Sequence, residues 1–514
     1  MGVAAPNREP KIREHEQAAK EQVLVADSES EESQEARSEV LADHITDGQN
    51  LWSGRWGTMT LRTHCREGEA WYDVLMNGMT GGTLRSQTVS TKLYQLREQA
   101  KQHPYRVFTT LHHLVDVDFL KEAYRRTKKN AAAGVDKVTA EQYAEHLDEN
   151  LASLCLRYKE GRYIAPLVKR VWIEKDDGSQ RPIGIPAFED KILQRAIAML
   201  LGAIYEIDFY DFSYGFREKR SPHHAIKSLR EACLKEKVST IIDADVSKFF
   251  DKMPHDRIRE ILRLRVNDGK IISLIGKWLK AGVFEDGRVY YPDCGSPQGG
   301  VISPLIANIF LNHVLDEWYV TQAKPRLQGR SFLIRFADDF VIGCEFEEDA
   351  HRLMRVVPQR FGKFGLSIHP DKSKMIRFKW SPKQVTKTGN GTFDFLGFTH
   401  YWGRSRQNNW VIKRQTMRKR QARAMRNLYL YCRFNLHEPV QEQHSKLSSK
   451  LNGHYNYYGI RCNYRQLLMV YQHVIDSWRR WLGRRSRDGY ISWKKFGKFL
   501  EVWQLPKPRI TKMV

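Results

Sequence analysis

The sequence predicts an α+β protein that ends in a basic, all-α region, and three observations carry that reading. Between about residues 165 and 400, short β-type runs alternate with helical ones, and Gly and Pro punctuate the joins. After Gly403 the pattern turns helical and dense in Arg and Lys, with Trp and Tyr interleaved, as in Trp478-Arg-Arg-Trp-Leu-Gly-Arg-Arg, which reads as helices offering cations and aromatic rings to a ligand. At 514 residues and 41% hydrophobic content, the chain has enough apolar material for roughly two to four domains with ordinary cores.

Taken in order, residues 1–50 hold twelve Asp or Glu against five Lys or Arg, including Asp27-Ser-Glu-Ser-Glu-Glu-Ser, and no Phe, Tyr or Trp to seed a core. Such a composition predicts an acidic disordered tail. Residues 51–90, with Met79-Thr-Gly-Gly-Thr, read as an irregular extension. A helical pattern begins near Thr91 and recurs in Phe119-Leu-Lys-Glu-Ala-Tyr-Arg-Arg, where apolar and basic residues separate at the 3.6-residue period. Residues 91–402 then form the mixed part and 403–514 the basic helical part.

The formal net charge is +24, and without the acidic tail the remainder is more basic still. So much positive charge calls for a polyanion, and nucleic acid is the commonest. The seven cysteines are scattered singly, with no C-x-x-C pair, which argues against zinc and for a reducing compartment. No apolar run approaches the roughly 18 residues of a membrane span, and the opening Asn7-Arg-Glu-Pro-Lys does not resemble a secretion signal. The expected location is the cytoplasm, in association with nucleic acid and without membrane contact.

Two segments carry chemistry. In Thr240-Ile-Ile-Asp-Ala-Asp-Val-Ser-Lys-Phe-Phe-Asp, a β-type run sends Asp243 and Asp245 to one face. In Ser331-Phe-Leu-Ile-Arg-Phe-Ala-Asp-Asp-Phe-Val-Ile-Gly, two adjacent acids interrupt apolar runs as a strand, tight turn and strand would. Carboxylates embedded in apolar strands are costly unless a cation or a basic partner compensates them. Hard oxygen ligands from neighbouring strands suit Mg²⁺, so Asp245, Asp338 and Asp339 are the candidate catalytic and metal-binding residues.

From Val115 to Ile510 further motifs follow in a fixed order: Ala133-Gly-Val-Asp-Lys-Val-Thr, Arg181-Pro-Ile-Gly-Ile-Pro, Ser213-Tyr-Gly-Phe-Arg, the Asp245 strand, Gly295-Ser-Pro-Gln-Gly-Gly-Val-Ile-Ser-Pro, the Asp-Asp hairpin and Phe393-Asp-Phe-Leu-Gly-Phe. In this series the chain resembles the reverse transcriptases encoded by bacterial group II introns. The resemblance implies a right-hand polymerase fold, with fingers and a ferredoxin-like palm before a helical thumb and maturase region. It also implies RNA-directed DNA synthesis with two Mg²⁺ ions, or Mn²⁺ in their place. The partners would be an RNA template, a DNA or RNA primer, dNTPs and intron RNA.

The same resemblance assigns Lys175 and Arg181, across an Asp-Gly turn, to the incoming triphosphate; the residues alone fit a solvated hairpin as well. It places Phe250 beneath the sugar, where a 2′ hydroxyl would clash, although a bulky ring also suits plain core packing. Gln298 would approach the base pair from a Gly-rich loop. Lys372 would steady the phosphates or protonate pyrophosphate, with Lys374 a close competitor.

Two departures stand out. Phe336 replaces the Tyr usual before Ala-Asp-Asp, and the chain lacks the Cys/His clusters of the HNH endonuclease domain that some relatives carry. Two other functions share much of this sequence: an RNA-binding splicing cofactor that needs the basic helices but not the aspartates, and a host-domesticated reverse transcriptase in DNA repair or phage defence.

Overall fold

The computed structural model describes residues 88–174, 180–295, 299–378, 391–486 and 489–512. The acidic segment 1–50, residues 51–87, Lys175 and Gln298 lie outside them. The chain divides into two compact units: a small one that includes Val171–Pro182, and a large one of Arg85–Arg170 and Ile183–Val514.

The large unit begins with helices α1 (Val89–Gln102), α2 (Val117–Arg126), α3 (Ala140–Ala144) and α4 (Leu147–Lys159). Helix α1 starts just ahead of the expected Thr91 because the Thr88 hydroxyl accepts the Thr91 amide at 3.3 Å and caps it. Helix α2 buries Phe119, Leu120 and Ala123, is capped by Asp116 and ends on Arg125 and Arg126, which suit the negative end of its dipole. Strands β1 (Val168–Glu174) and β2 (Gln180–Ile185) carry the chain through the small unit. Helix α5 (Phe188–Asp208) follows and is buried over most of its length, including Asp190, Lys191, Gln194 and Arg195.

Next come α6 (Pro222–Lys235), β3 (Thr240–Ala244), α7 (Phe249–Lys252), α8 (His255–Arg263), α9 (Gly269–Leu279), β4 (Val283–Glu285), β5 (Arg288–Tyr290) and α10 (Ser303–Leu311). Helix α10 continues into a π-helical stretch, Asn312–Glu317. Then follow β6 (Ser331–Phe336), β7 (Asp339–Cys344), α11 (Glu347–Gly362) and β8 (Lys374–Arg377). The sheet order β6-β7-β3-β8, antiparallel at every step, is that of a ferredoxin-like β-α-β-β-α-β palm.

The two faces of this sheet have different neighbours. Ile242, Leu333, Phe340 and Ile342 join the large core with most of the helices, whereas Ile241, Ile334 and Val341 join a smaller cluster with Leu229 and Cys233 of α6, Phe378, Phe393 and Trp402. That alternation is the two-residue period read from the sequence.

A second antiparallel sheet, β9 (Phe393–Phe395), β10 (Phe398–Arg404) and β11 (Trp410–Thr416), runs through the position where helix was expected to begin. The helical region starts at Arg418, not at residue 403. Phe398, His400 and Trp402 alternate inward, as do Ile412, Arg414 and Thr416, and the density of basic residues concealed this period of two.

Helices α12 (Arg418–Phe434), α13 (Val440–Tyr458), α14 (Tyr464–Leu482) and α15 (Trp493–Val502) share their own core. Trp478 and Trp481, read as rings offered to a ligand, are buried there, and Trp478 donates Nε1–H to Gln443 Oε1 at 2.8 Å. Arg480 and Arg484 beside them stay exposed, so this segment presents its cations outward and keeps its indoles in the core. Among the described residues no helix is long and apolar enough to cross a membrane.

Candidate active site

Strand pairing brings the three aspartates to one end of the palm sheet. Strand β3 pairs with β7 in the register Ile242↔Ile342 and Ala244↔Phe340, so Asp245, the next residue, reaches the level of Asp339. Strands β6 and β7 close at Phe336↔Asp339 around a two-residue turn, Ala337-Asp338. Ala337 holds φ at +55°, the left-handed conformation that tight hairpins demand and that L-residues adopt at a cost.

The segment after α11 is laced along the Asp245 loop. Asp245 donates its amide to Ser373 Oγ at 3.2 Å, and its carbonyl accepts the His369 amide at 2.8 Å. Lys372 Nζ stands 3.2 Å from Asp245 Oδ2. The lysine that the resemblance assigns to phosphates thus pairs with the Asp245 carboxylate.

Like charge is concentrated here. The Asp339 carboxyl is crowded by protein although the residue keeps an exposed face; that desolvation, then Asp338, Asp245 and Asp243, pushes it up to about 7. Asp243 is also pushed up to about 7, first by burial and then by Asp394 and Asp245, with Lys374 opposing. Arg420 of α12 pulls Asp339 weakly the other way, and Asp339 in turn helps to raise Tyr457 of α13. Lys372, Lys374 and Arg420 offset this repulsion only in part, since Asp243 and Asp339 both stay near 7.

The other sequence motifs make close contacts of their own, and one of them reaches the turn. Gly215 of Ser213-Tyr-Gly-Phe-Arg backs directly on the turn: a Cβ there would stand 2.2 Å from the Ala337 amide nitrogen. Gly299, at φ +109°, abuts Gly184 of the Arg181 motif, where a Cβ would meet the Gly184 carbonyl oxygen at 2.3 Å. The start of the Gly295 loop is tied to the Phe250 segment by Gly295 N–H donating to Met253 O at 2.8 Å. Lys191 Nζ donates to Ala132 O at 2.6 Å and so holds the Ala133 motif against α5.

Of the residues singled out in the sequence, Asp245, Asp338, Asp339 and Lys372 come together at one sheet edge. Phe250 stands half-buried on α7, edge-on to Phe249 with ring centroids 5.3 Å apart. Arg181 is on β2 in the small unit, and Lys175 and Gln298 are outside the described residues. Sequence reasoning did not select Arg420 or Tyr457, because nothing local ties the last helices to the palm. It also passed over Asp394, whose place in Phe393-Asp-Phe-Leu-Gly-Phe opposite Asp243 was a usable signal.

A ferredoxin-like palm with acids at the end of its central strands defines a nucleotidyl-transferring polymerase of the right-hand class. The reverse transcriptase (RNA-dependent DNA polymerase) family matches residues 173–400. Protein YkfC of Escherichia coli K12 is 34% identical over 307 residues, covering 52% of this chain and 80% of YkfC. The group II intron-encoded protein LtrA of Lactococcus lactis is 34% identical over 288 residues, 55% of this chain and 47% of LtrA, so the match spans about half of that relative. A 91 kDa protein in the cob intron of Schizosaccharomyces pombe is 32% identical over 253 residues, 47% of this chain and 30% of its own length. The chain belongs to the reverse transcriptase family, whose members are RNA-directed DNA polymerases, and within it to the group II intron type. Divalent metal ions and a nucleic-acid template and primer come with that membership.

Proposed function

We propose that the chain extends a primer 3′ hydroxyl with dNTPs on an RNA template, using Asp245, Asp338 and Asp339 to hold two Mg²⁺ ions. The observation that carries this reading is the crowding of these carboxylates, with Asp243, at one strand end, where burial and mutual repulsion push Asp339 up to about 7. The donor set fits hard cations, since it is all oxygen and like-charged. Among the described residues no group of three or more His, Cys, Asp or Glu is arranged to hold a metal ion by itself. Mg²⁺ keeps waters and takes substrate phosphates as ligands, so it needs fewer protein ligands than a closed site. When bound, the ions acidify the 3′ hydroxyl and neutralise the triphosphate.

The chain's own residues do the rest. Phe250 closes the floor beneath the sugar and excludes a 2′ hydroxyl, while Lys175 and Arg181 grip the triphosphate as it enters. Gln298 follows the base pair from its Gly-flanked loop. Lys372 would serve the leaving phosphates, a choice favoured over Lys374 by its 3.2 Å contact with Asp245. Residues from Arg418 onward act as the thumb and bind intron RNA through their exposed cations.

Primer extension on RNA with Mg²⁺, offering dNTPs and NTPs separately, tests the reading, with Asp338→Ala/Asp339→Ala as control. DNA product that disappears in the double variant supports it. A folded, RNA-binding wild type that makes no DNA would leave a splicing cofactor as the better account. Phe250→Ala should admit NTPs at least tenfold more readily; unchanged discrimination would return Phe250 to plain packing.

A further inference from the structure

Directly behind the catalytic turn, on the helix-covered face of the palm sheet, an ion pair is fully enclosed. Arg335 of β6 and Asp316 of the π-helical stretch are both 0% exposed. Arg335 Nε donates to Asp316 Oδ1 at 2.8 Å, and Nη2 donates to Oδ2 at 2.5 Å. Its remaining arm, Nη1, donates to Asn308 Oδ1 and to the carbonyl of Ala337, each at 3.0 Å. Asn308, also 0% exposed, donates its own Nδ2–H to the Gly215 carbonyl at 2.6 Å. Gly215 is the residue that backs on the Ala337 amide. One guanidinium therefore reaches the turn from both sides, directly at its carbonyl and through Asn308 and Gly215 at its amide.

Stability does not explain such a pair. Desolvating two charges roughly cancels their attraction, and apolar residues of similar volume would commonly serve the core as well or better. What apolar residues lack is a directional fork that can hold a carbonyl in place. The carbonyl held here belongs to the left-handed residue of the turn, immediately before Asp338 and Asp339. The supporting frame is itself fixed: Arg360 donates to the carbonyls of Val314 at 2.9 Å and His313 at 3.1 Å, which anchors the π turns that carry Asp316. Irregular π turns recur at functional sites for this kind of purpose.

We propose that Arg335, with Asp316 and Asn308, is a positioning residue that sets the catalytic turn and thereby the separation of the Asp338 and Asp339 carboxylates from Asp245. The inference rests on reading that turn as the metal-binding edge of the polymerase. Its chemistry predicts a functional loss without a loss of fold, since small misplacements of reacting groups are costly to rate.

The test removes both charges together, as Arg335→Met/Asp316→Leu, so that no unpaired charge stays buried. Thermal melting of this variant should match or exceed wild type, while amide hydrogen exchange across residues 335–340 quickens at least tenfold. Single-nucleotide extension should fall about a hundredfold in kcat, with a higher Mg²⁺ requirement and an unchanged KM for primer–template. A folded double variant with wild-type exchange, kcat and Mg²⁺ dependence would overturn the proposal. Should the double variant fail to fold, Arg335→Lys keeps the charge but loses the fork, and the same exchange and Mg²⁺ readings decide. If wild type makes no DNA, the polymerase reading fails first; hydrogen exchange and Mn²⁺ binding to the protein alone, followed by electron paramagnetic resonance, still judge whether Arg335 sets the turn.

Discussion

The two faces of the palm sheet handle charge in opposite ways. On the face that joins the large core, Arg335 and Asp316 are fully buried, opposite in sign and joined by short hydrogen bonds. On the other face, Asp243, Asp245 and Asp339 follow the same two-residue alternation as Ile241 and Val341 and bring like charges together, with Asp243 and Asp339 both near 7. Matched buried charge fixes geometry at little net gain in stability, whereas unmatched charge stores a demand for a ligand. One sheet thus separates the part that aims the site from the part that binds.

The contrast breaks most directly in stability. Arg335→Met alone leaves Asp316 charged and unpaired, and should cost about 3–5 kcal/mol in urea unfolding. Asp338→Ala/Asp339→Ala should instead hold or gain stability in metal-free buffer at pH 8, while losing DNA synthesis by on the order of 10³-fold or more. Equal destabilisation by both substitutions would mean that the acids are structural after all.

Gly215→Ala probes the join between the faces. Its Cβ would press on the Ala337 amide from 2.2 Å, backbone against backbone, so the turn must shift. The expected outcome is a fall of about a hundredfold in kcat, with primer–template binding intact. Wild-type turnover in a folded G215A protein would show that the turn tolerates displacement.

The pH dependence of stability has opposite signs in the two kinds of site. His400 in β10 is enclosed, stacked on Phe393 at 4.9 Å, and is pushed down to about 3 by burial and then by Arg414. Its folded value is below the unfolded one near 6.5, so its contribution is full above about 6.5 and is lost as pH falls toward 3. Asp339 runs the other way. Its folded value near 7 is above the unfolded 3.8, so its contribution is present below about 4 and is lost as pH rises through 7. Over about pH 4 to 6.5 the two oppose each other, so metal-free urea unfolding should lose an acid-side weakening in His400→Gln and a weakening between about pH 4 and 7 in Asp339→Asn. An unaltered profile in either variant would remove that residue from the account.

How much of this was legible in the sequence depends on the range of the contacts involved. The palm strands were readable because Ile241, Ile242, Val341 and Ile342 alternate between two apolar neighbourhoods, and acids at the ends of such strands announce themselves. Arg335 was in plain view within Ser331-Phe-Leu-Ile-Arg-Phe and was still missed. Its partners come from a helix and a π turn that reach it only through tertiary packing. The same limit misdirected the reading of Trp478, since a basic and aromatic segment looks alike whether its rings face a ligand or the core of a bundle. The expected boundary at 403 failed for a local reason, because Arg404, Arg406, Lys413 and the inward-facing Arg414, in and beside β10 and β11, disguised strands as a basic helix.

The smallest expected effect belongs to Phe336, where this chain departs from the tyrosine usual in its family. The residue is half-buried at the end of β6, directly across from Asp339, and its ring packs on the cluster that contains Phe332, Val341 and Phe393. The ring therefore supplies the packing that shapes the acid edge, and the missing hydroxyl removes only one hydrogen-bonding group, typically about 1 kcal/mol. Phe336→Tyr should change dNTP insertion within roughly tenfold and leave the Mg²⁺ requirement in place. A change beyond about a hundredfold, near 3 kcal/mol, would mean that a hydroxyl at this position reaches the reacting groups. In that case the apolar face would do more than pack the acids, and the division of labour between the two faces would have to be redrawn.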